Sequence, residues 1–435
     1  MAIRKFAALL LLTIGVSFFS SLAFAAQKAY YHPSADRLFW FMILSDTHIG
    51  ADPTAAANLT WAVGAARLAI NPLFIVNAGD LCDSTNGGPI PDGPHQEEWT
   101  TYRQILVGAG MNADFYYDMP GNHDQYNDKT FVYYLANSIQ GVATGKTQPS
   151  WTRQFSYGSY HFKGACTPGN DGAKFSFSAE DNFGDHAGLD DIELADIDLD
   201  LSSHTDAQLT LIFGHHPFEP YYSTMFDTGL TYGLPRLMDL IEEYLVPFYG
   251  FGHTHNYREN FRTGFYYKTF TTPGLYYMNF ASLGKESLMT GDYKYEVMAV
   301  DGNGLSLVPA QPDVWPVVMI TAPVDRGLGT NPNPYTYEIP QKSNNPIRAL
   351  VFDSKPVTQV QFSIDGSLVW QDMQQIAGTK IWEGHWNAAN AAAGAHTIAV
   401  RAQGSTLVTD SITTSINPAL PRSNMTPIVT MLLSD

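Results

Sequence analysis

The sequence predicts an α/β domain made of two sheets with helices outside, followed by an all-β sandwich of immunoglobulin-like type. In the first part of the chain, short apolar runs alternate with helical stretches, which is typical of buried parallel strands joined by crossover helices. After residue 264 short strands follow one another closely. Beyond the proline-containing linker Val308–Pro316, six or seven short alternating runs with turn residues between them indicate the sandwich.

The first domain begins with Leu38–Leu44, which is apolar throughout and is therefore predicted as a strand buried on both faces. Because helical stretches separate it from the next apolar runs, the neighbouring strands should be parallel. Gln154–Ala165 has the pattern of a hairpin-type strand pair. The other elements predicted here are helix Thr54–Ile70, strand Leu73–Asn77, helix Glu97–Val107, strand Asp114–Met119, helix Asp190–Leu201, strand Leu209–Phe213, helix Leu234–Tyr244, strand Val246–Phe251, and strands Gly264–Phe270, Leu275–Ala281, Tyr293–Val300 and Leu305–Val308.

The C-terminal region is predicted to be all β. Its strands are predicted at Val317–Thr321, Ile347–Phe352, Val357–Ile364, Lys380–Trp386, His396–Ala402 and Thr406–Thr414. A chain of 435 residues is long enough for about two domains. We divide it into a signal peptide at 1–25, an α/β domain at 26–310, an immunoglobulin-like domain at 317–415 and a C-terminal tail at 416–435.

The N-terminus has the features of a cleavable leader. Arg4 and Lys5 precede the apolar run Phe6–Phe19, and small residues flank position 24 in a small-x-small site. The run is shorter than the ~20 residues of a membrane span, and no long apolar stretch follows it. We therefore expect cleavage before Ala26 and export, to the periplasm or outside the cell, of a protein with no membrane span.

The net charge of the chain indicates which classes of molecule it can bind. The formal net charge is −18, and a surface that acidic repels nucleic-acid backbones and anionic lipids. No run of Lys or Arg separates positive charge from this background, so the sequence argues against a nucleic-acid partner.

Two features are left without a chemical role. Cys82 and Cys166 could form a disulfide or remain two separate buried thiols, because a sequence does not give the distance that the bond requires. The acids of Asp196-x-Asp198-x-Asp200 lack the glycine and distal glutamate of a calcium loop, and we expect a solvated helix face there.

Five short polar segments each close an apolar run, and the candidate ligands in them include two Asp (Asp46 and Asp80), one Asn and several His. They are Asp46-Thr47-His48, Gly79-Asp80-Leu81-Cys82-Asp83, Gly121-Asn122-His123-Asp124, Gly214-His215-His216-Pro217 and Gly252-His253-Thr254-His255. Six of the 13 histidines lie in them, which scatter would seldom produce. These groups suit hard-to-borderline divalent metals, and they suffice for two ions that share a carboxylate. Because ligands gather beyond the carboxyl ends of strands in α/β sheets, we expect the segments to meet.

The carboxylates and the amide have distinct predicted tasks. Asp46 and His48 alternate along an extended segment, so both can point to one side and bind one ion. Asp80, at the tip of the second strand, can offer one oxygen to each of two ions. Asn122 supplies a neutral oxygen, which limits the negative charge around the second ion.

The histidines complete the predicted site. His215, His253 and His255 supply imidazole ligands. His123 is not needed as a ligand, and it could protonate a leaving oxygen while Asp124 fixes its tautomer.

The series D-x-H, GDxxD, GNHD, GHxP-like and GHTH resembles the calcineurin-like metallophosphoesterases over about residues 38–310, with every motif intact. The resemblance implies a four-layered α/β/β/α sandwich. It also implies a binuclear centre of Fe, Mn, Zn or Ni that hydrolyses phosphate esters by attack of a hydroxide bridging the ions. The layout with a second, β-rich domain looks more specifically like the transmembrane protein 62-like group, whose members continue into membrane helices where this chain stops.

Carried over position by position, the resemblance implies two ligand sets that share one carboxylate. One ion would be bound by Asp46, His48, Asp80 and His255. The other would be bound by Asp80, Asn122, His215 and His253. His123 would be the catalytic acid, and His216 would contact phosphate or orient a ligand.

We therefore expect an exported hydrolase that acts on small phosphomonoesters or phosphodiesters. An exported nuclease and a binding protein that keeps the fold without turnover are the alternatives. The C-terminal sandwich is expected to take no direct part in the chemistry, although it could attach the enzyme to a surface, glycan or protein. Because every motif precedes Val308, we expect the first domain to fold and act alone.

Overall fold

The computed structural model describes residues 29–85, 92–168, 187–220, 229–266, 268–271, 273–287, 290–329 and 331–421. The predicted signal peptide lies outside the described residues, and so does most of the predicted tail.

The first domain contains two β-sheets. Its strands are β1 (Leu38–Leu44), β2 (Ile75–Asn77), β3 (Tyr116–Asp118), β4 (Ser150–Phe155), β5 (Gly158–Gly164), β6 (Leu209–Phe213), β7 (Phe248–Phe251), β8 (Phe261–Arg262), β9 (Gly264–Phe265), β10 (Lys268–Thr269), β11 (Leu275–Asn279), β12 (Tyr295–Asp301) and β13 (Gly304–Ala310). The first sheet has the order β13-β12-β1-β2-β3, and the second has the order β4-β5-β6-β7-β11-β8. β1, β2 and β3 are parallel to one another, as are β5, β6 and β7.

Helices cover the outer faces of both sheets. They are α1, which runs through Pro53–Trp61, the π-helical Ala62–Ala66 and Arg67–Ile70, then α2 (Gln96–Gly108), α3 (Val132–Asn137), α4 (Ile139–Thr144), α5 (Asp191–Ser202) and α6 (Leu234–Glu243). α1 begins at Pro53 because the Asp52 carboxylate accepts hydrogen bonds from the first-turn N–H groups. α5 begins with a complete capping box between Asp190 and Glu193.

Three apolar clusters hold these layers together. One lies between the sheets and is rich in aromatic rings, including Phe41, Phe74, Phe162 and Phe213. Another packs α1 to α3 on the outer face of the first sheet, and a third packs α5 and α6 on the outer face of the second. The domain is therefore a four-layered α/β/β/α sandwich, as predicted.

The predicted elements are present, with differences at their ends. β2 and β3 are shorter than predicted, and the single strand expected at Gly264–Phe270 is the hairpin β9–β10. α3 and α4 were not predicted, because each is a six-residue helix and is too short to show helical periodicity.

The C-terminal domain is a β-sandwich. Its strands are β14 (Val317–Ala322), β15 (Gly327–Leu328), β16 (Asn331–Pro332), β17 (Ile339–Pro340), β18 (Asn345–Phe352), β19 (Gln359–Ile364), β20 (Gln371–Asp372), β21 (Gln374–Gln375), β22 (Ile381–Trp386), β23 (Gly394–Gln403) and β24 (Leu407–Asn417). One sheet has the order β14-β18-β22-β21 and the other has the order β17-β24-β23-β19-β20. Between them lies an apolar core to which Trp382 and Trp386 belong.

The two domains share buried contacts. Trp315, Phe352 and other C-terminal residues belong to the same apolar cluster as α1 and the first sheet. The Arg348 guanidinium, which is buried, donates to both carboxylate oxygens of Asp301 over 2.8 and 2.9 Å. Asp301 ends β12 in the first domain and Arg348 lies in β18 of the second, so this ion pair crosses the interface.

Candidate metal centre

The five polar segments meet at one edge of the molecule, where strands of both sheets end. Beyond β1 and β2 the backbone pairing continues, because the Asp46 N–H donates to Gly79 and the His48 N–H donates to Asp80. The His253 N–H, beyond β7, donates to the Asp46 carboxylate at 3.1 Å. Residues some two hundred positions apart are thus brought together, as the strand-end argument predicts.

The backbone at the site is held in an uncommon conformation. Five predicted ligands have positive φ angles between 41° and 68°: Asp46, His48, Asp80, His253 and His255. A non-glycine residue in this region costs on the order of 1–3 kcal/mol and persists only where its surroundings impose it. The chain therefore turns sharply at five of the predicted ligands.

Two glycines allow the segments to approach. A Cβ atom at Gly121 would overlap the Asp80 carboxylate and backbone N, and one at Gly252 would overlap Ser45 and the Asp46 carboxylate. Side chains at these positions would push Asn122 or His253 out of the site.

The first predicted ligand set is assembled. Asp46, His48, Asp80 and His255 each bring one ligand atom, and these atoms all lie within 4.8 Å of one another. The Nε2 atoms of His48 and His255 are 3.0 Å apart. The His255 Nε2 is 3.4 Å from the Asp46 Oδ1.

The second predicted ligand set is also assembled. The Asn122 Oδ1 lies 3.1 Å from the His215 Nε2 and 3.0 Å from the His253 Nδ1. The Asp80 Oδ2 lies 3.2 Å from the His215 Nε2 and 3.6 Å from the His48 Nε2. One oxygen of Asp80 therefore faces a histidine from each set.

These separations fit bound metal ions. Two ligand atoms each about 2.1 Å from one ion, at tetrahedral or octahedral angles, lie about 3.0 to 3.4 Å apart. Most of the distances above fall in or near this interval. The donor set of carboxylate, amide and imidazole suits Zn, Mn, Fe or Ni.

Polar contacts at the far side of two imidazoles fix their orientation. The His215 Nδ1 donates to the Ala78 carbonyl oxygen over 2.8 Å, and the His48 Nδ1 lies 3.0 Å from the Asp83 Oδ1. In both rings the Nε2 atom faces the centre, which is the usual arrangement of metal-binding histidines. Asp83 also forms an ion pair with Lys285.

The electrostatics agree with a site for cations. Burial is the largest single effect and raises the pKa of Asp46, but His255 and His215 together outweigh it and lower the pKa to about 2. Burial, assisted by Lys285, lowers the pKa of His48 to about 3. Burial also lowers the pKa of His215, but the adjacent Asp80 reverses this and raises it to about 9. His215 therefore holds a proton at neutral pH where the ligand set would hold an ion.

His123 lies beside the centre, but the contact predicted with Asp124 is wrong. The Asp124 carboxylate accepts N–H groups of Leu81, Cys82 and Gly121 instead. The His123 Nδ1 donates to the Asp83 carbonyl oxygen over 2.5 Å. Asp124 thus organises the backbone of two ligand-bearing loops, and a main-chain carbonyl fixes the tautomer of His123.

His216 is buried beside the ligands, and it offers a ring nitrogen that lies within 4.8 Å of ligand atoms of His215 and His253. Its Nδ1 lies 3.1 Å from the Thr167 Oγ1, and that hydroxyl oxygen also accepts the N–H groups of His215 and His216. The His216 ring lies 4.5 Å from the His253 ring between centroids. That His216 contacts phosphate or orients a ligand stays a prediction.

Sequence reasoning missed three residues of the site. Asp83 lies inside a quoted motif, and its carboxylate spacing after Asp80 was the available signal. Tyr126, whose hydroxyl oxygen accepts a hydrogen bond from the Asn122 Nδ2, and Lys285 were missed because a lone Tyr or Lys outside the motifs gives no signal.

A further His/Asp group lies away from the centre and does not have the geometry of a metal site. The His161 Nε2 is 2.6 Å from the Asp200 Oδ2, and the His204 ring stacks on His161 at 3.8 Å with only 7° between the planes. A metal ion lies close to the plane of each imidazole that binds it. Two stacked, parallel rings therefore cannot both bind the same ion. The neighbouring Asp196 and Asp198 pair with Lys163 and Arg236, in agreement with a solvated, charge-paired helix.

Both cysteines are buried. Burial raises the pKa of the Cys82 thiol well above its usual value. The described residues contain no disulfide.

A family model described as calcineurin-like phosphoesterase matches residues 39–257, about half of the chain. The chain belongs to this family. A second model, described as bacterial Ig domain, matches residues 316–400. The calcineurin-like match includes all five polar segments, and the Ig match lies within the β-sandwich. No helix in the described ranges is long and apolar enough to cross a membrane.

Similar proteins are known. Transmembrane protein 62 of Mus musculus is 26% identical over 394 residues, covering 86% of this chain and 55% of that protein. An Arabidopsis thaliana protein named as a metallophosphoesterase is 23% identical over 398 residues, covering 81% of this chain and 52% of its own length. The chain thus spans about half the length of these curated relatives. A dimetal phosphatase from Danio rerio is similar in structure, with a TM-score of 0.48 and 12% identity over 64% of this chain and 97% of that one.

Proposed function

We propose that this chain is an exported, binuclear metal-dependent phosphoesterase that hydrolyses small phosphomonoesters or phosphodiesters. The observation that carries the proposal is the position of Asp80. Its Oδ2 lies within 3.6 Å of one histidine of each ligand set, which is the arrangement that a carboxylate shared by two ions requires.

When bound, two ions of this kind activate water, orient a phosphate and neutralise the charge that develops during in-line attack. The chain would hold one ion with Asp46, His48, Asp80 and His255, and the other with Asp80, Asn122, His215 and His253. The contact of the His48 Nδ1 with Asp83 and the hydrogen bond of the His215 Nδ1 to Ala78 would keep the two Nε2 atoms directed at the ions. The turns at the strand ends fix the spacing of the two sets.

His123 would supply the leaving-group proton. Its Nδ1 is engaged by the Asp83 carbonyl, so the ring presents Nε2, which lies 4.0 Å from the Asp80 Oδ2. The side chain is 16% exposed, which gives it access to a substrate. A proton held on Nε2 can pass to an ester oxygen as its bond to phosphorus breaks.

The charge of the chain supports a small substrate. With a net charge of −18 and no basic run, the protein lacks the distributed cations that hold a polynucleotide. Lys285, at the centre, is paired with Asp83. We further propose export to the periplasm or the exterior, based on the N-terminal leader sequence.

The proposal is tested by metal analysis of the purified protein, combined with a phosphate-release screen over nucleotides, phospholipid head groups, sugar phosphates and model diesters. We expect two ions per chain and turnover of at least one small ester. Two ions without turnover would favour a binding protein, and efficient, salt-sensitive cleavage of long DNA or RNA would favour a nuclease.

The variant Asp80→Asn tests the shared carboxylate. It should reduce both metal occupancies and lower turnover by more than about a hundredfold, since even loss of a group behind a ligand typically costs 10–100-fold. Asp198→Asn is the matched control, because Asp198 pairs with Arg236 outside the centre. Normal occupancy and turnover in Asp80→Asn would refute the binuclear assignment.

A further inference from the structure

The Asn122 side chain has two chemically different ends that must not be exchanged. Its Oδ1 faces the His215 Nε2 and the His253 Nδ1 at 3.1 and 3.0 Å. Its Nδ2 donates to the Tyr126 hydroxyl oxygen over 2.7 Å. An amide oxygen can bind a cation, whereas the NH₂ group carries only donors. A rotation that exchanges the two ends keeps nearly the same shape, so packing alone does not select the orientation.

The local backbone brings Tyr126 to this position. A 3₁₀ turn at His123–Gln125 follows Asn122, and the Gln125 N–H donates to the Asn122 carbonyl oxygen over 3.1 Å. The chain therefore turns back so that the side chain four residues later reaches Asn122. The Tyr126 ring also packs against His123, with 4.9 Å between centroids.

Few other groups near Asn122 could accept the hydrogen bond that its NH₂ group donates to Tyr126. Asn122 is only 4% exposed, so bulk water has little access to its amide. The preceding residue, Gly121, lies so close to Asp80 that a Cβ atom there would overlap it. The tyrosine hydroxyl is thus the described partner of the Asn122 NH₂ group.

We propose that Tyr126 is a positioning residue for the second metal ion, because its hydroxyl holds the Asn122 amide with the oxygen directed at that ion. The inference rests on the proposed binuclear function. Nothing in the five motifs assigns a role to Tyr126, which lies just after the third of them. The residue acts through Asn122 and does not itself bind the ion.

The test is Tyr126→Phe in the full-length protein, titrated with Mn²⁺ after removal of metal. Isothermal titration calorimetry measures the dissociation constants of both equivalents, and electron paramagnetic resonance measures the spin-coupled signal of an ion pair. We expect binding of the second ion to weaken by about 10-fold or more, with loss of the coupled signal. The first ion should bind as before. Tyr244→Phe is the matched control, since its hydroxyl donates to Asp198 outside the centre.

A double-variant cycle separates orientation from general packing. A carboxylate has two equivalent acceptor ends, so Asn122→Asp removes the need to select an orientation. In that background Tyr126→Phe should change binding of the second ion by less than about threefold. An equal loss in both backgrounds, or wild-type affinity in Tyr126→Phe, would overturn the role of Tyr126 while leaving a binuclear centre in place. Binding of a single Mn²⁺ by the wild type would overturn this inference and the proposed function together.

Discussion

At the scale of single residues, the histidines of the centre differ in charge, and a metal ion that binds there would displace a proton from one of them. His215 has a pKa raised to about 9 next to Asp80, while His48 has a pKa lowered to about 3. At neutral pH one imidazole is thus ready to bind metal and the other must first lose a proton. Metal binding and proton release should be linked.

This linkage gives the first prediction. Between pH 6 and 8 His215 is protonated in the metal-free protein, and a metal ion must displace that proton. Lowering the pH makes the proton harder to displace. The affinity for the ion bound by His215 should therefore rise by about tenfold per pH unit, because one proton is released per ion. Titration calorimetry in buffers of different ionisation enthalpy measures both the affinity and the proton count. An affinity that is constant from pH 6 to 8 would contradict it.

The second prediction concerns His123, which is held by a main-chain carbonyl. His123→Ala should lower kcat by ~10²–10⁴-fold, the usual range for a lost general acid, with little loss of metal. The decrease should shrink for nitrophenyl esters, whose leaving groups need less protonation. Steady-state rates and metal content, measured on the same samples, distinguish a general acid from a metal ligand. If metal content falls in parallel with the rate, His123 is a ligand.

At the scale of elements, the turns beyond the strands determine the site, and two glycines allow the ligand-bearing segments to approach one another. Gly121→Ala should disrupt the centre, because a Cβ atom there overlaps Asp80. Gly64→Ala is the control, since a Cβ atom at this helical position meets nothing within 4 Å, and it should keep the wild-type metal content. Metal analysis and far-ultraviolet circular dichroism of both variants provide the check. Full metal binding by Gly121→Ala would show that the loop can move aside.

The same elements show what the sequence could and could not predict. The run Leu38–Leu44 was predicted with its observed bounds, because a strand buried on both faces has no polar residue inside it. The meeting of the five polar segments was predictable because strand ends converge, whereas their division into two ligand sets was implied by the resemblance to the calcineurin-like family. The partner of Asp124 was not predictable, because its carboxylate bonds to Leu81 and Cys82, more than forty positions away along the chain. Such contacts depend on loop conformation, which residue type and spacing do not specify.

At the scale of the whole molecule, the interface between the domains is a continuous core. Trp61 and Trp315 lie 6.0 Å apart between ring centroids, as do Trp40 and Phe352. The sequence led us to expect that the first domain would fold alone. The structure argues against that expectation, because a chain ending at Val314 would expose the apolar face around Trp61 and leave Asp301 without Arg348.

The fourth prediction concerns stability and follows from this ion pair. Arg348→Met should lower the free energy of unfolding by about 3–5 kcal/mol, since it leaves a buried carboxylate without its partner. Arg236→Met, at an exposed pair, should change it by less than about 1 kcal/mol. Urea unfolding of both variants provides the measurement. Equal stabilities of the two variants would show that the interface contributes little to folding.

The division of the ligands between the sheets has a mechanical consequence. Asp46, His48, Asp80 and Asn122 follow strands of the first sheet, while His215, His253 and His255 follow strands of the second. Each ion would therefore be a cross-link that ties the two halves of the sandwich at one edge. An ion that binds only the folded chain adds its binding free energy to stability. Metal supply would then influence how long the folded protein persists as well as how fast it works.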